Sequence, residues 1–251
     1  AVYTRAGSDV YLEKQCPEHG AFSTIVWRGE PDFESWLGCT EEISAGSLGG
    51  CPDACGLCDA HRQDTCCIVV EVTGRCNLNC GFCFAASPSV KPEPSLEELK
   101  TAFAQLVKDG RLFLQLSGGE PTVRDDLPRI VRLAVRAGFK YIQLNSNGIR
   151  LAEDEKFVQA LAAAGLSFVF MQFDGTGDEV YKKLRGRPLC DLKKRAIENC
   201  AKYNLGVILV PMLVPGVNTN ELWELVKFGV SLSPAVRGVH FQPVSYFGRR
   251  T

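Results

Sequence analysis

Long apolar runs are missing from this sequence. No stretch approaches the ~18 consecutive apolar residues that a membrane-spanning helix needs. The first residues also lack the basic segment followed by an apolar one that marks a secretion signal. We therefore expect no transmembrane segment and a cytoplasmic location.

A surplus of either charge sign is missing too. The 28 basic and 29 acidic side chains leave a formal net charge of -1, which provides no electrostatic attraction to a polyanion. We therefore expect no nucleic-acid partner. No G-x-G-x-x-G follows the first predicted strand, and this absence argues against a Rossmann nucleotide site.

Cysteine, in contrast, is abundant. Nine of the 12 cysteines fall between Cys39 and Cys83. A small secreted domain would pair them as disulfides, but in a cytosolic protein such short spacings favour metal ligation. Cys190 and Cys200 stand apart and are expected to be inert buried thiols.

Short apolar runs alternate with amphipathic segments from about residue 66 onward, which is typical of strands buried against helices. Because such units connect with one hand, they form either a doubly wound sheet or part of a barrel, and both place ligands at the carboxyl ends of the strands. The predicted strands are 67–72, 112–116, 141–145, 168–173, 207–212 and 238–242.

Helix boundaries are also marked in the sequence. Ser95 and Glu98 form a capping box, Asp125 or Asp126 can cap the next helix, and Gly138 and Gly165 are expected to end helices. We predict a small Cys-rich, metal-binding domain over residues 1–65 and an α/β domain over residues 66–251.

Three cysteines follow the first strand in the order Cys76-Asn-Leu-Asn-Cys80-Gly-Phe-Cys83. Three thiolates on a [4Fe-4S] cluster leave one iron open to another ligand, whereas an electron carrier has all four irons capped. A zinc site with one further ligand is the alternative. The second strand is followed by Ser117-Gly118-Gly119-Glu120-Pro121, where glycines allow close backbone approach to a ligand or simply form a tight turn.

These two motifs resemble those of the radical S-adenosylmethionine (SAM) superfamily. The resemblance covers about residue 66 to the end and implies a partial (β/α)6 TIM-like barrel. It also implies that Cys76, Cys80 and Cys83 hold a [4Fe-4S] cluster, that Phe82 lies near the adenine of SAM, and that its ammonium group is held by Gly118, Gly119 and Glu120.

Polar side chains follow later strands as well. The resemblance suggests that Asn147, Gln172 or Asp174 reaches the ribose or carboxylate of SAM, while turn formation is an equal alternative. His240 and Gln242 on the sixth strand are candidates to face a ligand. For His240 we favour a satisfied core residue.

The upstream cysteines suggest further metal centres. Cys51, Cys55 and Cys58 repeat the same spacing, and Cys66 offers a fourth ligand, which favours a closed auxiliary [4Fe-4S] cluster over a zinc knuckle. Cys16, in Cys-Pro-Glu-His-Gly, is typical of one half of a zinc-ribbon or rubredoxin site for mononuclear iron or zinc. Its partner pair precedes Ala1, or Cys39 completes it, or Cys16 is vestigial.

The combination of these motifs resembles tetraether lipid synthases and class D radical SAM methylases of pterins. It implies an enzyme, a transferase in the methylase case, that removes hydrogen from an unactivated carbon and then forms a carbon–carbon bond or adds a methyl group. A small-molecule or lipid substrate and an electron donor such as ferredoxin or flavodoxin would be its partners. Since members of this group are longer, we expect trimmed ends and a missing C-terminal substrate domain. The alternative is a non-catalytic iron-sulfur or zinc module for electron transfer or protein contacts.

Overall fold

The computed structural model describes residues 2–36, 67–87, 92–108, 112–245 and 248–250. The chain divides into two compact units, Ala1–Thr65 and Cys66–Thr251. Among the described residues, no helix combines the length and the apolar character required to cross a lipid bilayer.

The first unit contains a three-stranded antiparallel sheet in the order β1-β2-β3, followed by the short helix α1. Val10 is its one buried hydrophobic residue among those described. An ion pair between Arg5 and Asp32, 2.8 Å from Nη1 to Oδ2, connects the first strand to the start of α1. The elements are β1 Val2–Ala6, β2 Asp9–Cys16, β3 Gly20–Trp27 and α1 Phe33–Trp36.

The second unit alternates strands and helices. Its strands are β4 Ile68–Thr73, β5 Phe82–Cys83, β6 Phe113–Gly118, β7 Tyr141–Ser146, β8 Phe168–Gln172, β9 Gly206–Val210, β10 Met212–Leu213, β11 Val236–Val239, β12 Gln242–Pro243 and β13 Arg249–Arg250. Its helices are α2 Leu96–Lys108, α3 Leu127–Ala137, α4 Ile149–Glu153, α5 Glu155–Ala164, α6 Asp178–Arg185, α7 Cys190–Lys202 and α8 Leu222–Ser231.

Six parallel strands form the main sheet in the order β11-β9-β8-β7-β6-β4. Neighbours in this sheet are also successive main-sheet strands in the chain, so connections of one hand place the helices on one face. The core shows this arrangement, because alternate strand residues such as Leu116, Leu144 and Met171 pack with helix residues such as Phe103 and Leu161. The expected partial barrel is confirmed, and its other face is free of these helices.

All six predicted strands are present, with shifted ends. The fifth stops at Val210 because Pro211 has no N–H to continue a ladder. The sixth begins at Val236, two residues earlier than predicted, since a register irregularity between Val236 and Gly238 hides the alternation of side chains.

The helix boundaries follow the predicted caps with one exception. Ser95 and Glu98 exchange the capping-box hydrogen bonds, and Gly138 and Gly165 end α3 and α5 in the left-handed conformation. Asp126 occupies the N-cap of α3 but makes no capping hydrogen bond. Its carboxylate instead accepts from the buried Arg124 guanidinium, with 2.8 Å from Nε to Oδ1.

Candidate functional site

Three cysteines lie in the loop that follows β4. Cys76, Cys80 and Cys83 are all half-buried free thiols. Burial raises the pKa of the Cys76 thiol to about 11, and only the backbone N–H of Leu78, 3.4 Å from its sulfur, opposes this rise. A thiol with this pKa keeps its proton at neutral pH until a metal displaces it. The ionisation of Cys76 therefore depends on metal binding.

Two apolar clusters support this loop. Leu78 is buried in one of them, and Cys76 and Cys80 pack against it. Phe82 packs against the other, formed by Val180, Leu184 and Val214. The cysteine loop thus packs against side chains of α4, α6 and α7, such as Ile149, Tyr181 and Cys190, and Phe82 lies on an apolar surface next to Cys83.

The end of the described chain returns to the same loop. Strand β13 pairs with β5 in antiparallel register, with Arg249 opposite Cys83. The Arg249 guanidinium donates to the carbonyls of Cys80 and Ser87, each at 2.7 Å. Arg249 therefore connects both sides of the cysteine loop.

The Gly118-Gly119 turn packs directly on the segment that leads to Cys76. A Cβ on Gly118 would lie 2.1 Å from the Thr73 carbonyl oxygen, and one on Gly119 would lie 2.2 Å from that of Arg75. The N–H of Gly119 donates to the Thr73 carbonyl at 2.8 Å. The close backbone approach expected from the glycines is therefore made, at least in part, to the protein's own chain.

Glu120 is buried, with 1% of its surface exposed. Its Oε1 accepts from the N–H and the hydroxyl of Thr122 and from the Ser146 hydroxyl, at 3.1, 2.6 and 2.8 Å. Its Oε2 accepts from the N–H of Asn147 at 2.6 Å. The carboxylate thus holds the end of β6 against the end of β7.

Asn147 connects this network to the cysteine loop. Its amide nitrogen donates to Asn77 Oδ1 at 2.7 Å, and its Oδ1 accepts from the N–H of Ile149 at 3.0 Å. Since Asn77 follows Cys76 directly, the end of β7 and the cysteine loop share one hydrogen-bond network.

A buried ion pair lies just beyond β8. Asp174 accepts from Arg185 at 2.7 Å through Nε and at 2.9 Å through Nη2, and it also accepts from Gln172. Burial opposes the charge of Arg185, but the Asp174 carboxylate outweighs that effect and holds the pKa of Arg185 above its usual value. Bidentate pairing fixes the carboxylate orientation as well as its charge.

Lys193, on α7, is fully buried in the same region. Its ammonium donates to the carbonyl of Asn147 and, at 3.0 Å, to Gln172 Oε1. Burial lowers the pKa of Lys193 to about 7. Two basic side chains, Arg185 and Lys193, and two acidic ones, Asp174 and Glu120, therefore lie around the carboxyl ends of β6, β7 and β8.

A cavity of about 290 Å³ lies where β4 and β6 end. Its wall includes both turn glycines and residues from the cysteine loop and its continuation. The lining residues are Glu71, Thr73, Gly74, Phe84, Ala85, Ser87, Pro92, Pro94, Gly118 and Gly119.

The sequence did not indicate Arg185, Lys193 or the hydroxyl donors to Glu120. Lys193 had a detectable signal, because it shares one face of α7 with the buried Ala196, Ile197 and Cys200. A lysine on an apolar helix face is unusual unless it has a partner. His240 was predicted to be a core residue, and this is wrong, since its side chain is exposed.

The donor set of the cysteine loop fits an iron-sulfur cluster. Three thiols come from one loop, and cysteine thiolates are the usual ligands of such clusters. In the part of the chain that the structure describes, no three Cys, His, Asp or Glu side chains converge tightly enough for a single metal ion. A cluster is larger than one ion, so its ligands need not converge in that way.

The first unit places a second type of ligand beside Cys16. The Cys16 sulfur lies 3.2 Å from Nδ1 of His19 in the turn between β2 and β3. Both atom types are common zinc ligands.

The predicted ligands Cys51, Cys55, Cys58 and Cys66, as well as Cys39, lie outside the described residues. Cys67 is described, and its sulfur accepts from Gln115 Nε2 at 3.3 Å.

Two family profiles match the chain. Residues 70–229 match the profile described as the Radical SAM superfamily. Residues 1–28 match the profile described as the HMPTM N-terminal zinc ribbon domain.

Curated relatives cover different shares of the chain. It is 41% identical to 7,8-dihydro-6-hydroxymethylpterin dimethyltransferase of Methanocaldococcus jannaschii, over 96% of this chain and 49% of that protein. It is 30% identical to a probable GTP 3',8-cyclase of Methanothermobacter thermautotrophicus, over 68% of this chain and 55% of that protein. The chain thus spans about half the length of these relatives.

Solved structures share the fold at low sequence identity. Streptococcus suis SuiB bound to S-adenosylmethionine superposes with a TM-score of 0.60 at 18% identity, covering 72% of this chain and 39% of SuiB. Methylornithine synthase (PylB) gives a TM-score of 0.58 at 16% identity, covering 73% of this chain and 55% of that one. At such identities the likeness concerns the fold alone.

Proposed function

This chain belongs to the radical SAM superfamily, and on that premise we propose that it is the catalytic core of an enzyme that methylates a carbon of a reduced pterin. Cys76, Cys80 and Cys83 would hold its [4Fe-4S] cluster. The observation that carries the proposal is the direct hydrogen bonding of the Gly118-Gly119 turn to the segment that enters the cysteine loop.

The cluster, once reduced, would supply the electron that splits the sulfonium bond of SAM and so yields a 5'-deoxyadenosyl radical for hydrogen abstraction. The chain's own residues bind and orient. Cys76, Cys80 and Cys83 would provide three thiolates, which would leave one iron of the cluster open to SAM. We assign the methionine end of SAM to the cavity beside Gly118 and Gly119.

The other residues predicted to contact SAM divide into those that would touch SAM and those that hold the site in shape. Phe82 offers an apolar face beside the thiols for the adenine. Glu120 is engaged by four donors of its own chain, so we assign it to holding the turn. Asn147, Gln172 and Asp174 lie at the strand ends, and Arg185 and Lys193 fix their orientation.

Methylation of a pterin is supported by the dimethyltransferase relative, which is similar over 96% of this chain. Tetraether-type lipid coupling is the alternative for the same radical. Either reaction needs an external reductant, for which a ferredoxin or flavodoxin is suitable.

In the first unit we propose that Cys16 and His19 supply two ligands of a zinc ion, in line with the zinc-ribbon profile. The auxiliary cluster at Cys51, Cys55, Cys58 and Cys66 stays a prediction.

The central test is anaerobic. The protein containing this chain is reconstituted with iron and sulfide, reduced, and supplied with SAM, and 5'-deoxyadenosine is quantified. We expect formation of this product by the wild type and its loss in Cys76→Ser, because two thiolates cannot hold the cluster in the required geometry. Cys200→Ala, which changes a core thiol outside the loop, should retain it.

An iron-loaded wild type that forms no 5'-deoxyadenosine would support the non-catalytic iron-sulfur module instead. Equal product from wild type and Cys76→Ser would refute the assignment of the cysteine loop.

A further inference from the structure

The face of the main sheet opposite the described helices is partly open. Parallel sheets usually have both faces covered, but here the residues that alternate with the helix-packed ones, such as Gln115, Asn145 and Phe170, are only half-buried. We call this side the inner face. A half-covered face inside a partial barrel is suited to hold a ligand.

Three amide side chains on the inner face form a hydrogen-bonded row. Asn145 Nδ2 donates to Gln115 Oε1 at 3.5 Å, and Gln143 Nε2 donates to Asn145 Oδ1 at 2.6 Å. At the other end, Gln115 Nε2 donates to the Cys67 sulfur. We refer to Gln115, Gln143 and Asn145 as the amide row.

The amide row retains hydrogen-bonding capacity. Each primary amide has two N–H donors and two acceptor lone pairs, and the contacts within the row use one N–H of each. Gln115 and Asn145 are half-buried, so part of each residue stays open to solvent or to a ligand. Because these groups are uncharged, they match neutral donors and acceptors of a ligand better than an ion.

Aromatic surfaces lie directly beside the row. Phe170 pairs with Asn145 in the β7–β8 register, and the His240 ring lies 5.0 Å from the Phe170 ring. Amide edges beside ring faces complement a flat heterocycle, whose faces are apolar and whose edge carries donors and acceptors.

We propose that Gln115 and Asn145, with Phe170 and His240, form the substrate subsite and read the lactam and amino edge of a reduced pterin. This inference rests on the proposed function and selects between its two substrate classes. A lipid chain has no hydrogen-bonding groups, and covering the amide row with hydrocarbon would cost the hydration of its amides without replacement.

The depth of the row is consistent with this role. Asn145 lies in β7, and Asn147, two residues later, lies just beyond its end. Two residues correspond to about 7 Å along a strand. A ring held at the amide row therefore lies inside the barrel, below the strand ends to which SAM is assigned.

The test uses the reconstituted full-length protein, with 7,8-dihydro-6-hydroxymethylpterin as the probe. Gln115→Leu and Asn145→Leu remove the hydrogen-bonding groups at similar size. We expect each to raise the dissociation constant for the pterin about tenfold, the size of one or two lost hydrogen bonds. Iron content and 5'-deoxyadenosine formation without substrate should stay at wild-type levels.

The matched control is Gln159→Leu, the same change on an exposed position of α5, which should bind the pterin like the wild type. Wild-type pterin affinity in both amide variants would overturn the subsite while leaving the proposed function intact. A wild type that forms 5'-deoxyadenosine but binds no pterin would overturn both the subsite and the proposed substrate. Tighter binding of a dodecyl-chain probe to the leucine variants, without pterin binding, would indicate the lipid alternative.

Discussion

Lys193 is a basic residue in a fully buried position, which disfavours its charged form. A buried ammonium group loses its hydration, and two acceptors, the Asn147 carbonyl and Gln172, compensate only in part. Burial has the largest effect and lowers the pKa of Lys193, and the nearby Arg185 lowers it further. The carboxylates of Asp174 and Glu120 raise this pKa, but not enough to offset burial. Such perturbed groups cluster at functional sites.

The lowered pKa of Lys193 predicts a pH-dependent stability. In the unfolded chain a lysine has a pKa of about 10.4, whereas in the folded protein it is about 7. Between these values the unfolded state binds more protons, so folding stability rises with pH. We expect the free energy of unfolding of the metal-free wild type, measured in urea relative to Lys193→Met, to increase from pH 7 to pH 9.

The exposed neighbour provides the control for this measurement. Lys194→Met should show no comparable change relative to the wild type over the same pH range. A constant difference between wild type and Lys193→Met would show that Lys193 is not held neutral by burial.

At the scale of elements, the site depends on how closely the ends of β4 and β6 approach each other. Gly119 lies at this approach, where any Cβ would be 2.2 Å from the Arg75 carbonyl oxygen. Two backbone hydrogen bonds of 2.8 Å join the strands there. The cysteine loop starts directly afterwards, so its position is set by this contact between strands.

We expect Gly119→Ala to separate the two strand ends. Overpacking of this kind costs about 1–3 kcal/mol, and it should also reduce the iron retained after reconstitution. Gly177→Ala is the matched control, because no atom lies within 4 Å of its Cβ position. Thermal unfolding and iron analysis of both variants test this, and equal losses in the two would contradict the contact.

At the scale of the whole molecule, the chain consists of two compact units with different ways of being stabilised. The second unit has a large core that joins strands and helices. In the first unit Val10 is the one buried hydrophobic residue among those described. Small domains with so little core usually depend on a metal or another staple.

Zinc should therefore stabilise the first unit selectively. We expect Cys16→Ser to lower the zinc content of the full-length protein and to make residues 1–36 more sensitive to limited proteolysis, since metal binding and folding are coupled in such domains. Iron content and 5'-deoxyadenosine formation should be unchanged. Unchanged zinc content in Cys16→Ser would exclude this residue as a ligand.

Local sequence patterns were sufficient to predict most strands and several helix boundaries of the second unit. Six apolar runs correctly indicated six strands, and the capping box at Ser95 and glycines at Gly138 and Gly165 indicated helix boundaries. Where a predicted strand end was wrong, the cause was a nearby feature of the backbone. Pro211 shortens β9, and the irregularity next to Gly238 conceals the start of β11.

The sequence by itself determined the strand–helix order and the loop that carries Cys76, Cys80 and Cys83, because these depend on spacing along the chain. Its motifs also resemble those of the family to which the chain belongs. Only the tertiary structure decided which side chains meet. Glu120 binds Ser146, Asp174 binds Arg185, and Gln115 joins Asn145 across neighbouring strands. These partners come from separate segments, so the physical reason is the packing of the sheet, which brings them together.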